Sequence, residues 1–313
     1  MLTISVLNYK GGVGKTTFTL NCAQALSILG KRVLVIDNDG QHNLSLQLCA
    51  DLNPESTLKD VYRNSLGNAS RAFVNAIQET KLTKLHVVPS EATLSNMDVK
   101  DTDILKNTIK YCSIAKFYDY CFIDNPPGLD SLQKASVLSS DSIFIPTELS
   151  YFALNGLREL NKIILDEFRG DISIDCIIPN FFKGTKNQKS YIKELDSIFP
   201  GKVSKTYIPP DSVFDVCMRE RKFLFLHRLY TKGAAYYLKL VNELFPVDED
   251  DSWHRMKRER DSTLRKEARK RYYISKPQDR EQQEGTGLSK KPAIHDSIKG
   301  RGDKNKDLPR KFI

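Results

Sequence analysis

The chain reads as an α/β protein: a doubly wound, mostly parallel sheet covered by helices, followed by a basic C-terminal tail. Three observations carry that reading. Short runs that are apolar at almost every position, among them Val33-Leu-Val-Ile36, Cys121-Phe-Ile123 and Ile143-Phe-Ile145, alternate with longer helical stretches. Such runs belong to strands buried on both faces. A glycine-rich turn joins the first strand directly to the first helix, and the regular alternation stops near Phe245-Pro246.

Taken in order, strands are predicted at Thr3–Asn8, Val33–Asp37, Leu85–Pro89, Tyr120–Asp124, Ser142–Pro146, Ile172–Pro179 and Val203–Pro209. The intervening segments are long enough for crossover helices. Lys15–Leu29 is the clearest, with Phe18, Cys22, Ala25, Leu26 and Leu29 on one side and Gly30 at the C-terminal cap. The opening residues read as a strand entering a glycine loop rather than a secretory leader. No run approaches the ~18 apolar residues of a membrane span.

The chain has 313 residues, 40% of them hydrophobic, enough for one large domain with a real core. Lys and Arg number 48 against 39 Asp and Glu, a net of +9. That charge is uneven. Residues 1–246 hold 29 basic and 26 acidic groups, a net of +3, while residues 247–313 hold 19 and 13, a net of +6. A folded domain over 1–246 and a charged, flexible or partly helical tail over 247–313 are therefore expected. Six scattered cysteines show no C-x-x-C pair and no zinc-type spacing, so they read as core thiols of a cytoplasmic protein.

The first strand runs into Lys10-Gly-Gly-Val-Gly-Lys-Thr-Thr17. Gly11, Gly12 and Gly14 let backbone N–H groups turn inward as an anion nest, and the helix N-terminus behind Val13 adds its dipole. Lys15 is placed to reach the β- and γ-phosphates of a nucleotide and the Thr16 hydroxyl to ligate Mg²⁺, with Thr17 completing the loop. The domain is thus expected to be a P-loop NTPase. Asp37 and Asp39 end the second strand, and Asp124 ends the apolar run Tyr120–Ile123. Carboxylates at the C-terminal edge of a parallel sheet face the ligand crevice. There they hold a metal's water shell or orient an attacking water, which is most of what phosphoryl transfer asks of a protein.

The loop lacks the usual first glycine, Tyr9 standing in its place, and opens with an extra lysine, Lys10. KGGVGKTT resembles the deviant Walker A motif of the ParA/MinD ATPase superfamily, and the rest of residues 1–246 is similar to that family too. Asp37-Asn-Asp-Gly-Gln-His-Asn43 resembles its D-x-D-P-Q-x-N segment with Gly40 for proline, and Asp124-Asn-Pro-Pro-Gly128 its D-x-P-P-G segment with Asn125 where threonine is frequent. The resemblance implies an ATPase using ATP and Mg²⁺, with Lys10 touching a nucleotide sandwiched in an ATP-dependent homodimer. It places Asp37, Asp124 and Thr16 near the metal, Asp39 at the lytic water, and Asn180 and Pro209 against adenine.

Within the superfamily, the ParA/Soj branch implies a cytoplasmic, nucleoid-associated switch. Such a switch binds DNA non-specifically as a dimer and is released by a ParB-like, centromere-bound partner. Because Lys15 lies so near the start, no helix-turn-helix module is expected before the ATPase. A MinD-like membrane ATPase and a positioner of protein cargo are the alternatives. A membrane anchor is disfavoured because residues 252–273 carry only a thin apolar stripe, Trp253, Met256, Leu264, Ala268 and Tyr272. Candidate DNA contacts are Arg219, Arg221, Lys222, Arg228 and Lys232 in the domain, and Arg265 and Arg269 in the tail.

Overall fold

The computed structural model describes residues 1–49, 51, 53–169, 172–246 and 249–274. Its strands are β1 (Leu2–Val6), β2 (Val33–Asp37), β3 (Gln78–Glu79), β4 (Leu85–Val88), β5 (Tyr120–Asp124), β6 (Ser142–Glu148) and β7 (Ile174–Asn180). Its helices begin with α1 (Lys15–Ile28), α2 (Asn43–Leu48), α3 (Leu58–Arg63), α4 (Leu66–Ala76), α5 (Ile104–Tyr111) and α6 (Ser131–Leu138). There follow α7 (Tyr151–Glu167), α8 (Lys186–Ile198), α9 (Val213–Arg219), α10 (Leu224–His227), α11 (Lys232–Leu244) and α12 (Glu249–Ile274).

The strands form one sheet in the order β3-β4-β2-β5-β1-β6-β7, parallel throughout except for the short edge strand β3. The chain passes from β1 to β2 and out to that edge, returns as β5 between β2 and β1, and then crosses to β6 and β7, so the crevice where the order reverses opens at the end of β1. Alternation along the strands sorts the core into layers. Val33 and Val35 join Ile4, Val6, Phe122 and Phe144 under α1, α10 and α11, while Leu34 and Ile36 join Cys121 and Ile123 under α3 to α6. A third cluster, with Ile143, Ile145 and Ile177, packs on Leu157 of α7 and Leu195 of α8.

The helix predicted at Lys15–Leu29 is present, but it is buried on nearly all sides rather than on one. It lies between the sheet and α10 and α11, so polar positions such as Thr19, Asn21 and Gln24 are interior too. Gly30 closes it as expected. Its φ is +95°, its N–H donates to the Ser27 carbonyl at 3.0 Å, and Lys31 N–H donates to Leu26 at 3.0 Å.

Two expectations are corrected. Val203–Pro209 makes no strand; only Val203 bridges Ile177. The N–H groups of Lys205 and Thr206 donate instead to the Glu243 carboxylate at 2.6 and 2.8 Å, and Pro209 has no N–H to offer a ladder. The domain boundary also moves. Met1–Leu264 forms one compact unit and Arg265–Ile313 a second. Within the first unit, Met256 of α12 is fully buried in the same cluster as α1 and α11, and Leu264 packs against it. Arg255 donates to the Leu29 carbonyl at 3.0 Å, completing the end of α1. Arg260 donates to the Leu226 carbonyl at 2.9 Å and lies over the Tyr230 ring at 5.5 Å. The first turns of α12 are thus an integral part of the domain, docked by one methionine and two arginines.

Met256→Ala removes the apolar plug under α12, and a loss of about 2–5 kcal/mol in unfolding free energy is expected from such a cavity. Urea denaturation followed by circular dichroism measures it; a loss below about 0.5 kcal/mol, the range of surface substitutions, would show that α12 does not contribute to the fold.

Candidate active site at the phosphate loop

The loop is shaped by its neighbours as much as by its glycines. Asn8, just past β1, donates to the Pro146 carbonyl at 2.9 Å and accepts from the Lys10 N–H at 3.0 Å, which fixes the entry to the turn. Gly12 and Gly14 have φ of +75° and +95°, and Gly14 is the N-cap of α1 with no side-chain cap. The N–H groups of the first turn are left facing the loop, as anion binding requires. A Cβ on Gly14 would also fall 2.3 Å from the Asn180 amide. Lys15 is buried and folds across the loop, 3.4 Å from the Asn8 carbonyl and 3.3 Å from that of Lys10. Burial lowers its pKa, with Asp124 and Asp39 opposing.

The parallel register sets Asp37 of β2 beside Asp124 of β5, and the Asn38 N–H donates to the Asp124 carbonyl at 2.8 Å. Thr16 donates to Asp124 Oδ2 at 2.7 Å, and Thr19, one turn on, to Oδ1 at 3.2 Å. Burial, and behind it the charge of Asp37, pushes the Asp124 carboxyl up to about 8. Burial raises Asp37 to about 6 against hydrogen bonds from Ser45 and Asp39. Asp37 is fully committed: Oδ2 accepts from Ser45 N–H at 2.8 Å and Oγ at 2.6 Å, and Oδ1 from Asp39 N–H at 3.2 Å. It therefore braces the turn that presents the half-buried Asp39, whose Oδ1 accepts from Gln41 N–H at 2.9 Å. Gly40 belongs to that turn for a steric reason, since a Cβ there would meet Ser95 Oγ at 2.0 Å and its N at 2.4 Å.

Lys10 lies half-exposed at the rim, ion-paired with Glu148 at the end of β6, which also accepts from Ser150 Oγ at 2.9 Å. The hydrogen bond from Lys10 holds the Glu148 carboxyl below its ordinary range. Asn180 is brought to the site, but as a clamp. It donates to the Val13 carbonyl and accepts from Phe181 N–H, both at 2.9 Å. A cavity of about 480 Å³ opens beside the loop between Gly14, Thr17, Asn180, Phe181 and Pro210. Pro209 is buried and is not among the residues that line it; the neighbouring Ile208 N–H pairs with the Pro179 carbonyl at 2.9 Å. A larger cavity of about 890 Å³, near Met1, Lys106, Asp141 and Phe168, lies at the opposite edge of the sheet and has no phosphate cradle.

The donor set fits Mg²⁺ with a nucleotide. Two adjacent buried carboxylates held above their ordinary range, one carrying a threonine hydroxyl, are a hard-oxygen site short of positive charge. Among the described residues no group of three His, Cys, Asp or Glu could hold a metal ion alone. Mg²⁺ does not require one, since it keeps waters and takes phosphate oxygens. Sequence reasoning missed Thr19, Ser45 and Glu148. Thr19 follows Thr16 by three positions on a helix, so its contact was legible; Ser45 meets Asp37 eight positions back only through the turn into α2, and Glu148 lies 138 positions from Lys10.

Of the basic candidates, Arg219, Arg221, Lys222, Arg228 and Lys232 gather on α9 to α11, though several are engaged. Lys222 and Arg228 pair with Glu220 at 2.8 and 3.6 Å, Arg221 donates to the Cys49 carbonyl at 3.0 Å, and Lys232 lies over Tyr236. Arg265 is exposed on α12; the side chain of Arg269 lies outside the described residues.

A family model described as an AAA domain matches residues 1–173. The chromosome partitioning protein ParA of Caulobacter vibrioides is 30% identical over 79% of this chain and 95% of its own length. The sporulation initiation inhibitor protein Soj of Bacillus subtilis is 28% identical over 77% of this chain and 97% of its own. Among solved structures, the ATP complex of McdA from Cyanothece superposes with a TM-score of 0.67 at 22% identity, covering 80% of this chain and 98% of that one.

Because Asp124 is raised in the folded state, its ionisation burdens the nucleotide-free fold as pH climbs from the ordinary carboxyl range to about 8. Asp124→Asn should therefore melt increasingly above the wild type between pH 5 and pH 8 without nucleotide. Thermal melting across that range measures the difference, and a pH-independent gap would contradict the raised carboxyl.

Proposed function

The chain belongs to the ParA/MinD family of P-loop ATPases, and on that premise we propose that it is a DNA-binding partition switch. It is a partition-type ATPase using ATP and Mg²⁺. The observation that carries the reading is the gathering of Lys10, Lys15, Thr16, Asp124 and the nearby Asp39 around one phosphate cradle. The N–H groups of the loop bind the phosphates. Lys15 leaves the Asn8 and Lys10 carbonyls for the β- and γ-phosphates, its buried charge strengthened by low local polarity. Mg²⁺ supplies charge neutralisation of the phosphates when bound, with Thr16 and Asp124 on its side of the site. Asp39 orients the attacking water, and Lys10 exchanges Glu148 for the nucleotide of a second copy, making the active form a dimer.

DNA is the proposed surface partner, with nucleoid association following from it. Lys257, Arg265 and Lys266 are exposed along α12, whereas its apolar residues Met256 and Leu264 are turned into the domain. Turned onto their own fold, those two residues leave α12 less apolar surface for a bilayer, while its exposed charges remain available to phosphates. Among the described residues no helix is long and apolar enough to cross a membrane. A ParB-like DNA-bound protein is the proposed stimulator of hydrolysis.

Lys15→Ala should abolish nucleotide binding, and Asp39→Ala should keep it while slowing hydrolysis roughly 100-fold and accumulating an ATP-bound dimer, as read by phosphate release and size-exclusion chromatography. Normal turnover in the Asp39 variant would remove that carboxylate from the mechanism. Lys257→Glu with Arg265→Glu should weaken ATP-dependent retention on DNA-coated surfaces at ~0.1 M salt and flatten its salt dependence. Retention of the wild type on anionic liposomes but not on DNA would overturn the partition reading in favour of a membrane ATPase.

A further inference from the structure

Behind the carboxylates runs a buried polar chain that the phosphate-loop chemistry does not use. Asn38 stands between Asp37 and Asp39, and Asn125 follows Asp124. Side chains alternate along extended backbone, so both amides turn away from the crevice and into the layer of α3 and α6. The Asn38 amide donates to Asn125 Oδ1 at 2.8 Å and to the Leu132 carbonyl at 3.0 Å. Tyr62 of α3 donates its hydroxyl to Asn38 Oδ1 at 2.9 Å. The Asn125 amide reaches Ser5 Oγ of β1 at 3.0 Å and Ser136 Oγ of α6 at 2.9 Å, and those two hydroxyls are 2.7 Å apart. Every member is buried.

Burying two amides is costly unless each is satisfied, and an apolar pair would fill the same space without that cost. What the amides add is direction. The backbone ladder between β2 and β5 ends where Asn38 N–H meets the Asp124 carbonyl. Beyond that rung the two chains carry Asp39 and Asn125 into separate turns, and the Asn38–Asn125 pair is the next tie between them. It fixes the backbone flanking each site carboxylate from the side opposite the reacting groups.

We propose that Asn38 and Asn125, steadied by Tyr62, are positioning residues that set Asp39 and Asp124 relative to each other for Mg²⁺-nucleotide binding and hydrolysis. The proposal rests on the ATPase reading of this site. A displacement of these carboxylates by a fraction of an ångström leaves the phosphate cradle whole while spoiling the metal and water geometry.

The test compares Asn38→Leu, Asn125→Leu, their double variant and Tyr62→Phe with the wild type, using a fluorescent ATP analogue. Affinity in EDTA should stay within about twofold, because the loop is untouched. The Mg²⁺ concentration for half-maximal tightening should rise about tenfold and kcat fall about tenfold, KM for Mg²⁺-ATP changing far less. The double variant should fall short of the sum of the two singles, since both break the shared Asn38–Asn125 contact. Tyr62→Phe removes a single hydroxyl and should move both readouts in the same direction, which keeps the test decisive if a leucine variant does not fold. A lowered melting temperature with Mg²⁺ midpoint and kcat within twofold of the wild type would reduce the network to a structural role and overturn the proposal. Failure of the ATPase reading would instead appear in the wild type, as absence of nucleotide binding.

Discussion

Two carboxylates held side by side in the interior are the constraint around which this molecule is arranged. The register of β2 against β5 leaves Asp37 and Asp124 as neighbours at the buried end of the ladder. Neither can ionise there at its ordinary pH. Around them donors converge from three segments: Thr16 and Thr19 from α1, Ser45 from α2, and the backbone of Asp39. The division of labour follows. Asp37, saturated by three donors, braces a turn; Asp124, held by two hydroxyls, retains an edge toward the cradle.

The phosphate loop is the other half of the same arrangement. Lys15 is the nearest buried cation, and in the nucleotide-free chain it is satisfied by loop carbonyls rather than by a carboxylate. Such bonds are cheap to exchange for the stronger, charge-assisted ones that a polyphosphate offers. Lys10 differs. It lies at the rim, in a partly exposed ion pair with Glu148 that solvent weakens, so its position answers to whatever approaches that face. At the far end of α1, Arg255 closes the helix that the loop begins. One helix, buried on nearly all sides, thereby links the cradle to the basic helix α12.

Much of this was legible in the residues. Six of the seven predicted strands fall at or within a residue or two of their places, because runs apolar at every position suit only a two-sided sheet. Gly12, Gly14 and Gly30 declared their left-handed backbones, and Lys15, Thr16 and Asp124 come together as their spacing required. The sixth strand, at Ile172–Pro179, begins two residues late. The segment Val203–Pro209 misled because its β-branched residues mimic a strand while its N–H groups are taken by Glu243 or missing at proline. The extent of the domain misled as well: one methionine and two arginines are enough to dock α12, and so thin a signal does not rise above a charged tail.

By itself the sequence determined the chemistry: a lysine-bracketed glycine loop before a helix, and carboxylates at strand ends, admit little besides phosphate binding with a divalent cation. Those motifs are local, and local backbone geometry follows from a few adjacent residues. Only the tertiary structure decided that Asp37 braces the turn before Asp39, that Asn180 clamps the loop, and that Asn38 and Asn125 meet behind the site. The last two join segments 167 and 87 positions apart. Contacts of that kind are set by how strands register and layers pack, which no short stretch of sequence encodes.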